Sequence, residues 1–122
     1  SKNVEMVFDA PAASIDSALS PPLFSWVLEN LIRNAVDAMD GEGTITLAVS
    51  QAESGVLVTV SDSGPGIPKS KRKDIFQPGY TTKARGWGLG LSLCKRIIEE
   101  YHAGRIEVGD GAESGTEFSI QV

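Results

Sequence analysis

Three alternating glycines, Gly86, Gly88 and Gly90, run directly into a helical-looking stretch from Leu89 to Tyr101. Glycine leaves the main chain uncovered, and the first turn of a helix adds N–H groups without intrahelical partners and a partial positive charge. An anion such as phosphate is the natural ligand of this arrangement. The spacing matches neither GxxxxGK followed by Ser or Thr nor the dinucleotide fingerprint GxGxxG, so a phosphate here needs another architecture. An ordinary glycine-rich turn is the alternative interpretation.

Composition limits the classes of function. The 122 residues fit one domain, 1–122, and the net charge of -5 argues against binding to nucleic acid, whose phosphates would repel the chain. No apolar run approaches the ~20 residues needed to cross a bilayer, and the start SKNVEMVF is not a signal peptide. The chain opens without methionine, so we expect a fragment of a longer protein that works in a reducing cytoplasm. Cys94, the only cysteine, is expected to be a small buried hydrophobe.

A long amphipathic helix is predicted from Leu23 to Met39, with Ser20 as a possible N-cap. Asn30, Asn34 and Asp37 border its apolar arc, at positions where a helix that packs on a core usually carries apolar or small residues. These three polar side chains are therefore candidates for lining a cavity.

Strand-like alternation occurs on both sides of this helix. The alternating apolar residues lie at Val4–Phe8, Ile45–Val49, Val56–Val60, Ile106–Val108 and Phe118–Val122. The third of these strands runs into the turn DSGPGI, so that Asp62 places a carboxylate just past the end of a buried strand. Residues 68–85 follow and hold six of the eleven Lys and Arg residues. This contrast with an acidic chain favours a mobile segment that faces an anionic substrate, with a solvated loop as the alternative.

A second amphipathic helix closes the pattern. Its expected sheet-facing residues repeat every four positions, at Leu89, Leu93, Ile97 and Tyr101, and its expected wet side holds Lys95, Arg96, Glu99 and Glu100. The order strand, helix, hairpin, basic segment, helix, hairpin predicts an α/β (α+β) two-layer sandwich. We expect a mixed, mostly antiparallel sheet of about five strands with the helices on one face.

Four segments in this order resemble the N, G1, F and G2 boxes of the ATP-binding domain of sensor histidine kinases, in the superfamily with Hsp90, the gyrase B subunit and MutL. The segments are ENLIRNAVDAM at 29–39, DSGPGI at 62–67, IFQPGYTTK at 75–83 and GWGLGL at 86–91. Gly115 and Thr116 resemble the short threonine motif of the last hairpin. The resemblance covers nearly the whole chain. It implies the Bergerat fold, ATP with Mg²⁺ as cofactors, and a flexible ATP lid at about 68–86.

The resemblance also implies a role for each part of the site. Asp62 would accept a hydrogen bond from the amino group of adenine and reject the carbonyl that guanine presents there. Asn34 would bind Mg²⁺ through its amide oxygen, and Asn30 would assist the metal or a phosphate. Lys83, with Thr81 and Thr82, would contact phosphate from the lid, and the main chain around Gly88 to Leu91 would cradle the phosphates. The expected catalytic residues are Asn30, Asn34 and Lys83.

The full set of residues expected to bind the nucleotide is drawn from all boxes. Phe76 and Tyr80 are expected either to anchor the lid or to cover the base. The set comprises Asn30, Asn34, Asp37, Asp62, Gly64, Gly66, Ile67, Phe76, Tyr80, Thr81, Thr82, Lys83, Gly86, Gly88, Leu89, Gly90, Leu91 and Thr116.

One position separates the branches of the superfamily. Members that hydrolyse ATP themselves carry a water-activating glutamate four residues before the metal-binding asparagine, and this chain has Asn30 there. An amide is no general base, so the chain suits a kinase that keeps ATP until an acceptor arrives. The family phosphorylates a histidine on a separate dimerisation domain and passes the phosphoryl group to a response regulator. The only histidine here, His102, is expected to be structural.

Two other functions stay open at this point. The chain could be a non-catalytic module that binds ATP and signals through its lid. It could also be a relative such as an anti-sigma serine kinase, which phosphorylates serine.

Overall fold

The computed structural model describes residues 3–9, 20–52, 55–79, 90–111 and 114–122. The strands are β1 (Asn3–Asp9), β2 (Glu42–Ala52), β3 (Gly55–Asp62), β4 (Arg105–Asp110) and β5 (Thr116–Gln121). The α-helices are α1 (Pro21–Ala38) and α2 (Gly90–Arg96), and α2 is followed by a π turn, Ile97–Tyr101. Two short 3-10 helices, Lys69–Lys71 and Asp74–Phe76, lie between β3 and α2.

The strands form one mixed sheet in the order β1-β2-β3-β5-β4. Only the β1 and β2 pair is parallel, and the other three pairs are antiparallel. The pairing of β2 with β3 extends to Ala52 and Gly55. The predicted α/β sandwich with a mixed, mostly antiparallel sheet of five strands is confirmed.

The core lies between one face of the sheet and the two helices. Successive side chains of a strand point to opposite faces, so Val56, Val58 and Val60 of β3 are all buried on the helix side. The same alternation puts the side chain of Asp62, at the end of β3, on this side. Helix α1 covers the face with its apolar stripe, and its buried residues are Phe24, Val27, Leu31 and Ala35. The sheet thus directs one carboxylate towards the helix layer.

The sheet-facing side of α2 differs from the prediction. Cys94, Ile97 and Ile98 are buried, whereas Leu93 is 38% exposed and Tyr101 is 67% exposed. A repeat of four residues drifts by about 40° per step on a helix of 3.6 residues per turn, so it cannot hold one face over three steps. Burial raises the pKa of the Cys94 thiol to about 12, as expected for a buried hydrophobe. The predicted continuous helix also changes to a π turn at Ile97.

His102 joins the end of this π turn to the start of α1. Its Nε2 accepts a hydrogen bond from the Ser20 N–H at 3.0 Å, and its Nδ1 lies 2.9 Å from the Ile97 carbonyl oxygen. The ring also packs edge-on against Phe24. Ser20 occupies the N-cap position without a side-chain cap bond. The His102 contacts are structural, as the sequence predicted.

Candidate nucleotide-binding site

Asp62 is the buried polar centre of the site, with 8% of its surface exposed. Its Oδ1 accepts hydrogen bonds from two main-chain N–H groups, that of Gly64 at 2.9 Å and that of Thr116 at 3.2 Å. A carboxylate in a buried position is costly unless donors compensate for the lost water. The Thr116 donor lies 54 residues from Asp62 in the sequence, so the carboxylate also joins the turn after β3 to the start of β5.

Gly115 makes this approach possible. Its φ is +84°, and a Cβ atom there would lie against the Asp62 carbonyl oxygen and 2.8 Å from Asp62 Oδ1. The turn residue Gly66, with a φ of +86°, lies equally close to Gly115, since its Cβ would be 3.1 Å from the Gly115 carbonyl oxygen. The two bare main chains therefore pack directly on each other beside the carboxylate.

The hydrogen bonds of Asp62 are made by one of its two oxygens. Within the described part of the chain, no donor is bonded to Oδ2. Ionised Asp is an acceptor only, so Oδ2 can take a hydrogen bond from an amino group and would repel a carbonyl. This is the chemistry predicted for an adenine-binding carboxylate.

Helix α1 brings its polar flank to the start of α2. The Asn30 Nδ2 donates a hydrogen bond to the Trp26 carbonyl oxygen at 2.8 Å, and its Oδ1 would lie 3.1 Å from a Cβ atom on Gly90. The first box and the glycine motif are thus in close contact. Asn34, one turn later, is half-buried, and Asp37 is exposed.

The described base of the lid, residues 68–79, is fixed at several points. Ile75 is buried in the core. Phe76 packs edge-on against Phe118, with ring centroids 6.2 Å apart. The Lys95 Nζ lies 5.4 Å from the centre of the Phe76 ring. These contacts fix Phe76 against Phe118 and Lys95, and its role towards a nucleotide stays a prediction.

Several predicted contacts lie outside the described residues. They are Tyr80, Thr81, Thr82, Lys83, Gly86, Gly88 and Leu89. Among the described ones, Gly90 and Leu91 begin α2, and Leu91 and Ile67 pack against the core. The contacts above bring Asp62, Gly64, Gly66 and Thr116 together, and they bring Asn30 against Gly90.

Two supporting contacts were missed by sequence reasoning. The Ser63 Oγ accepts from the Thr44 N–H at 3.0 Å and donates to the Met39 Sδ at 3.4 Å, so the end of α1 supports the turn after β3. Arg72 of the lid base forms an ion pair with Asp110, although the basic segment was predicted to face substrate. No local pattern indicates either contact, because each partner lies in a different element.

Metal and membrane sites were also sought among the described residues. In that part of the chain, no group of three or more His, Cys, Asp or Glu side chains is placed to hold a metal ion. None of the helices described combines the length and apolarity required to cross a bilayer.

The family model described as "Histidine kinase-, DNA gyrase B-, and HSP90-like ATPase" matches residues 20–122. The chain belongs to this family. Among curated relatives, the sensor histidine kinase ZraS of Escherichia coli strain K12 is 35% identical over 120 residues, which are 98% of this chain and 26% of ZraS. The chain therefore spans about a quarter of the length of that relative.

Solved structures of the same family share the fold. The catalytic domain of the histidine kinase ThkA is 34% identical and superposes with a TM-score of 0.88, covering 98% of this chain and 80% of that chain. A structure of ThkA in complex with the response regulator protein TrrA is matched with 32% identity and a TM-score of 0.83, over 98% of this chain and 34% of that chain. The fold thus agrees with that of histidine kinase catalytic domains.

The packing around Asp62 makes Gly115 a sensitive position. We expect Gly115→Ala to lower the free energy of unfolding by about 2 to 4 kcal/mol, because the side chain disfavours a positive φ and would displace the Asp62 backbone. Urea unfolding measures the change. Gly109→Ala, in the same hairpin, is the matched control: a Cβ there meets no atom within 4 Å, so its stability should stay within about 1 kcal/mol of the parent. Equal stability of both variants would contradict the packing described.

Proposed function

We propose that this chain is the ATP-binding catalytic part of a sensor histidine kinase, which transfers the γ-phosphoryl group of ATP to a histidine on another domain. The observation that carries the proposal is the Asp62 carboxylate, which is held by two main-chain N–H groups through one oxygen. We propose that its other oxygen accepts a hydrogen bond from the amino group of adenine. Family membership and the contact between Asn30 and Gly90 support it. Residues 68–86 would act as the ATP lid.

The reaction requires positioning more than covalent help from this chain. A nitrogen of the acceptor histidine would form a bond to the γ-phosphorus as the bond to the bridging β,γ oxygen breaks, and ADP would leave. The neutral acceptor nitrogen supplies the electron pair, so no base is needed to deprotonate it. Asn30 is an amide and donates to Trp26, so it cannot activate water for hydrolysis. This favours transfer over loss of the phosphoryl group to water.

Mg²⁺ is the metal that fits this donor set. It prefers oxygen ligands, keeps several waters, and is usually held by one or two protein oxygens together with substrate phosphates. The amide oxygen of Asn34 would hold the ion, with Asn30 one turn away. When bound, the ion would neutralise charge on the phosphates. Lys83, Thr81, Thr82 and the main chain at Gly86, Gly88 and Leu89 are proposed to complete the phosphate contacts.

The partners follow from the missing acceptor. His102 is engaged with Ser20 and Ile97, so the phosphorylated histidine would lie on a separate dimerisation domain of the same longer protein. A response regulator would then receive the phosphoryl group, and the complex of ThkA with TrrA is consistent with such a partner. We place this domain in the cytoplasm, where ATP is available.

Phosphotransfer tests the proposal directly. The chain is mixed with γ-labelled ATP, Mg²⁺ and the histidine-bearing dimerisation domain of its full-length protein. We expect an acid-labile, base-stable label on that domain, and none when its acceptor histidine is replaced by alanine. Nucleotide binding without any transfer would instead indicate a module that only binds ATP. An acid-stable label on serine would indicate a serine kinase, and either result would overturn the histidine kinase proposal.

Asn34→Ala tests the metal assignment. Loss of the amide oxygen should weaken Mg²⁺-dependent ATP binding by about tenfold or more, while binding of ATP in excess EDTA should change little. Isothermal titration calorimetry with and without Mg²⁺ gives both values. Glu29→Gln, an exposed acid on the same helix, serves as the control and should bind like the parent. An Asn34→Ala variant that binds Mg-ATP normally would remove the proposed ligand.

Asp62→Asn tests base selection. The N–H groups of Gly64 and Thr116 demand an acceptor, so the new amide should turn its oxygen towards them and its NH₂ into the site. A donor would then face the adenine amino group, and ATP affinity should fall by about tenfold or more, while GTP should lose less or gain. Competition binding measures the ATP to GTP ratio, with the exposed Asp74→Asn as control. An unchanged ratio would contradict the role of Asp62.

A further inference from the structure

Arg72 connects three segments of the chain at once. It follows the 3-10 helix Lys69–Lys71 in the lid base. Its Nε donates a hydrogen bond to the carbonyl oxygen of Ile67, in the turn after β3, at 3.1 Å. Its Nη2 donates to the Asp110 Oδ1, at the end of β4, at 2.5 Å. The rigid fork of a guanidinium is suited to holding two acceptors in a fixed relation.

These contacts close a ring around Asp62. The ring runs from Asp62 along its turn to Ile67, through Arg72 to Asp110, and through the β4–β5 hairpin to Thr116, whose N–H returns to Asp62 Oδ1. Arg72 and Asp110 also line a groove of about 730 Å³ between the turn and the hairpin. The ion pair joins two residues that line this groove.

We infer that Arg72 is a positioning residue for the nucleotide site: by joining the lid base, the Asp62 turn and the β4–β5 hairpin, it holds the two N–H donors that orient the Asp62 carboxylate. The inference rests on the proposed function, since it assigns the orientation of Asp62 to the recognition of adenine. Arg72 acts through Asp62 and does not contact phosphate.

The geometry separates this role from a simple attraction of phosphate by a basic side chain. The Arg72 side chain is 20% exposed and its guanidinium is engaged by two acceptors, whereas Lys71 and Lys73 on either side of it are exposed. If Arg72 attracted phosphate, removing the charge of Asp110 would free it and strengthen ATP binding. If Arg72 instead acts as a clamp that holds the Asp62 turn to the β4–β5 hairpin, the same change breaks the ring of contacts around Asp62 and weakens ATP binding. The two roles therefore predict effects of opposite sign for one substitution.

The experiment compares Arg72→Ala, Asp110→Asn and Lys71→Ala with the parent chain. Calorimetry should show that the affinity falls by about tenfold in Arg72→Ala and by about threefold in Asp110→Asn. Each variant should lose the same factor for Mg-ATP as for Mg-ADP, because the site that is disturbed binds the base, which both nucleotides carry. Lys71→Ala, which removes the same charge from the same short helix, should leave the affinities within about twofold. Arg72→Lys should rescue Arg72→Ala only in part, since an ammonium lacks the fork.

Three outcomes would overturn the inference. They are tighter ATP binding by Asp110→Asn, a loss with ATP much larger than the loss with ADP, and equal effects of Arg72→Ala and Lys71→Ala. The stability of each variant is measured by urea unfolding. If Arg72→Ala loses affinity because it is globally unfolded, the result counts against a positioning role. The role is kept in that case only if Asp110→Asn, a milder change at an exposed residue, also weakens binding while it stays folded.

Amide hydrogen exchange of the nucleotide-free chain makes the test independent of the proposed function. The N–H groups of Gly64 and Thr116 should exchange several-fold faster in Arg72→Ala and Asp110→Asn than in the parent, while the N–H groups in the middle of β3 stay unchanged. Unchanged exchange at Gly64 and Thr116 would overturn the clamp. If exchange is faster in the two variants but the parent chain binds no nucleotide, the positioning role of Arg72 is kept and the proposed function is refuted instead.

Discussion

The hydrogen bonds to Asp62 Oδ1 are the constraint on which the rest of the site depends. A buried carboxylate must replace its water with donors, and here both donors are main-chain N–H groups from different segments. Gly64 is itself one donor, and the absence of a Cβ at Gly115, which would lie 2.8 Å from Asp62 Oδ1, leaves room for the Thr116 N–H to reach the same oxygen. Satisfying one oxygen in this way fixes the direction of the other. The same contacts that make burial tolerable therefore also define what the carboxylate can recognise.

The sheet and α1 supply the frame for this carboxylate from opposite sides. The end of β3 sets Asp62 on the helix side, and the end of α1 supports the following turn through Met39 and Ser63. Asn30 lies further back on the same helix and contacts the start of α2. Its NH₂ group donates to the Trp26 carbonyl, and a carboxylate at this position could only place an acceptor against that acceptor. Helix geometry and the absence of a water-activating acid are thus consistent with each other.

The parts of the fold that follow from local periodicity could be predicted, and those that depend on distant partners could not. Alternation in β3 was sufficient to place Asp62 on the helix side of the sheet, whereas the expectation that Asn30 and Asn34 line a cavity stays a prediction. Of the four sheet-facing residues expected on the second helix, Ile97 is buried, Leu93 and Tyr101 are exposed, and Leu89 lies outside the described residues. The four-residue repeat missed the burial of Cys94 and Ile98. The pairing of Arg72 with Asp110 joins residues 38 apart, and neither has a sequence neighbour that would reveal it.

The anchoring of the lid base bears on how nucleotide binding could reach the rest of the domain. The entropy of closing a loop grows only slowly with its length, so the fixed points at its ends matter more than the number of residues between them. Before residue 80 these points are Arg72, Ile75 and Phe76, which reach the β4–β5 hairpin, the core and Phe118. After residue 89 they are Gly90, against Asn30, and Leu91, against the core. A ligand that binds residues 80–89 would therefore affect both helices and the β4–β5 hairpin through these contacts.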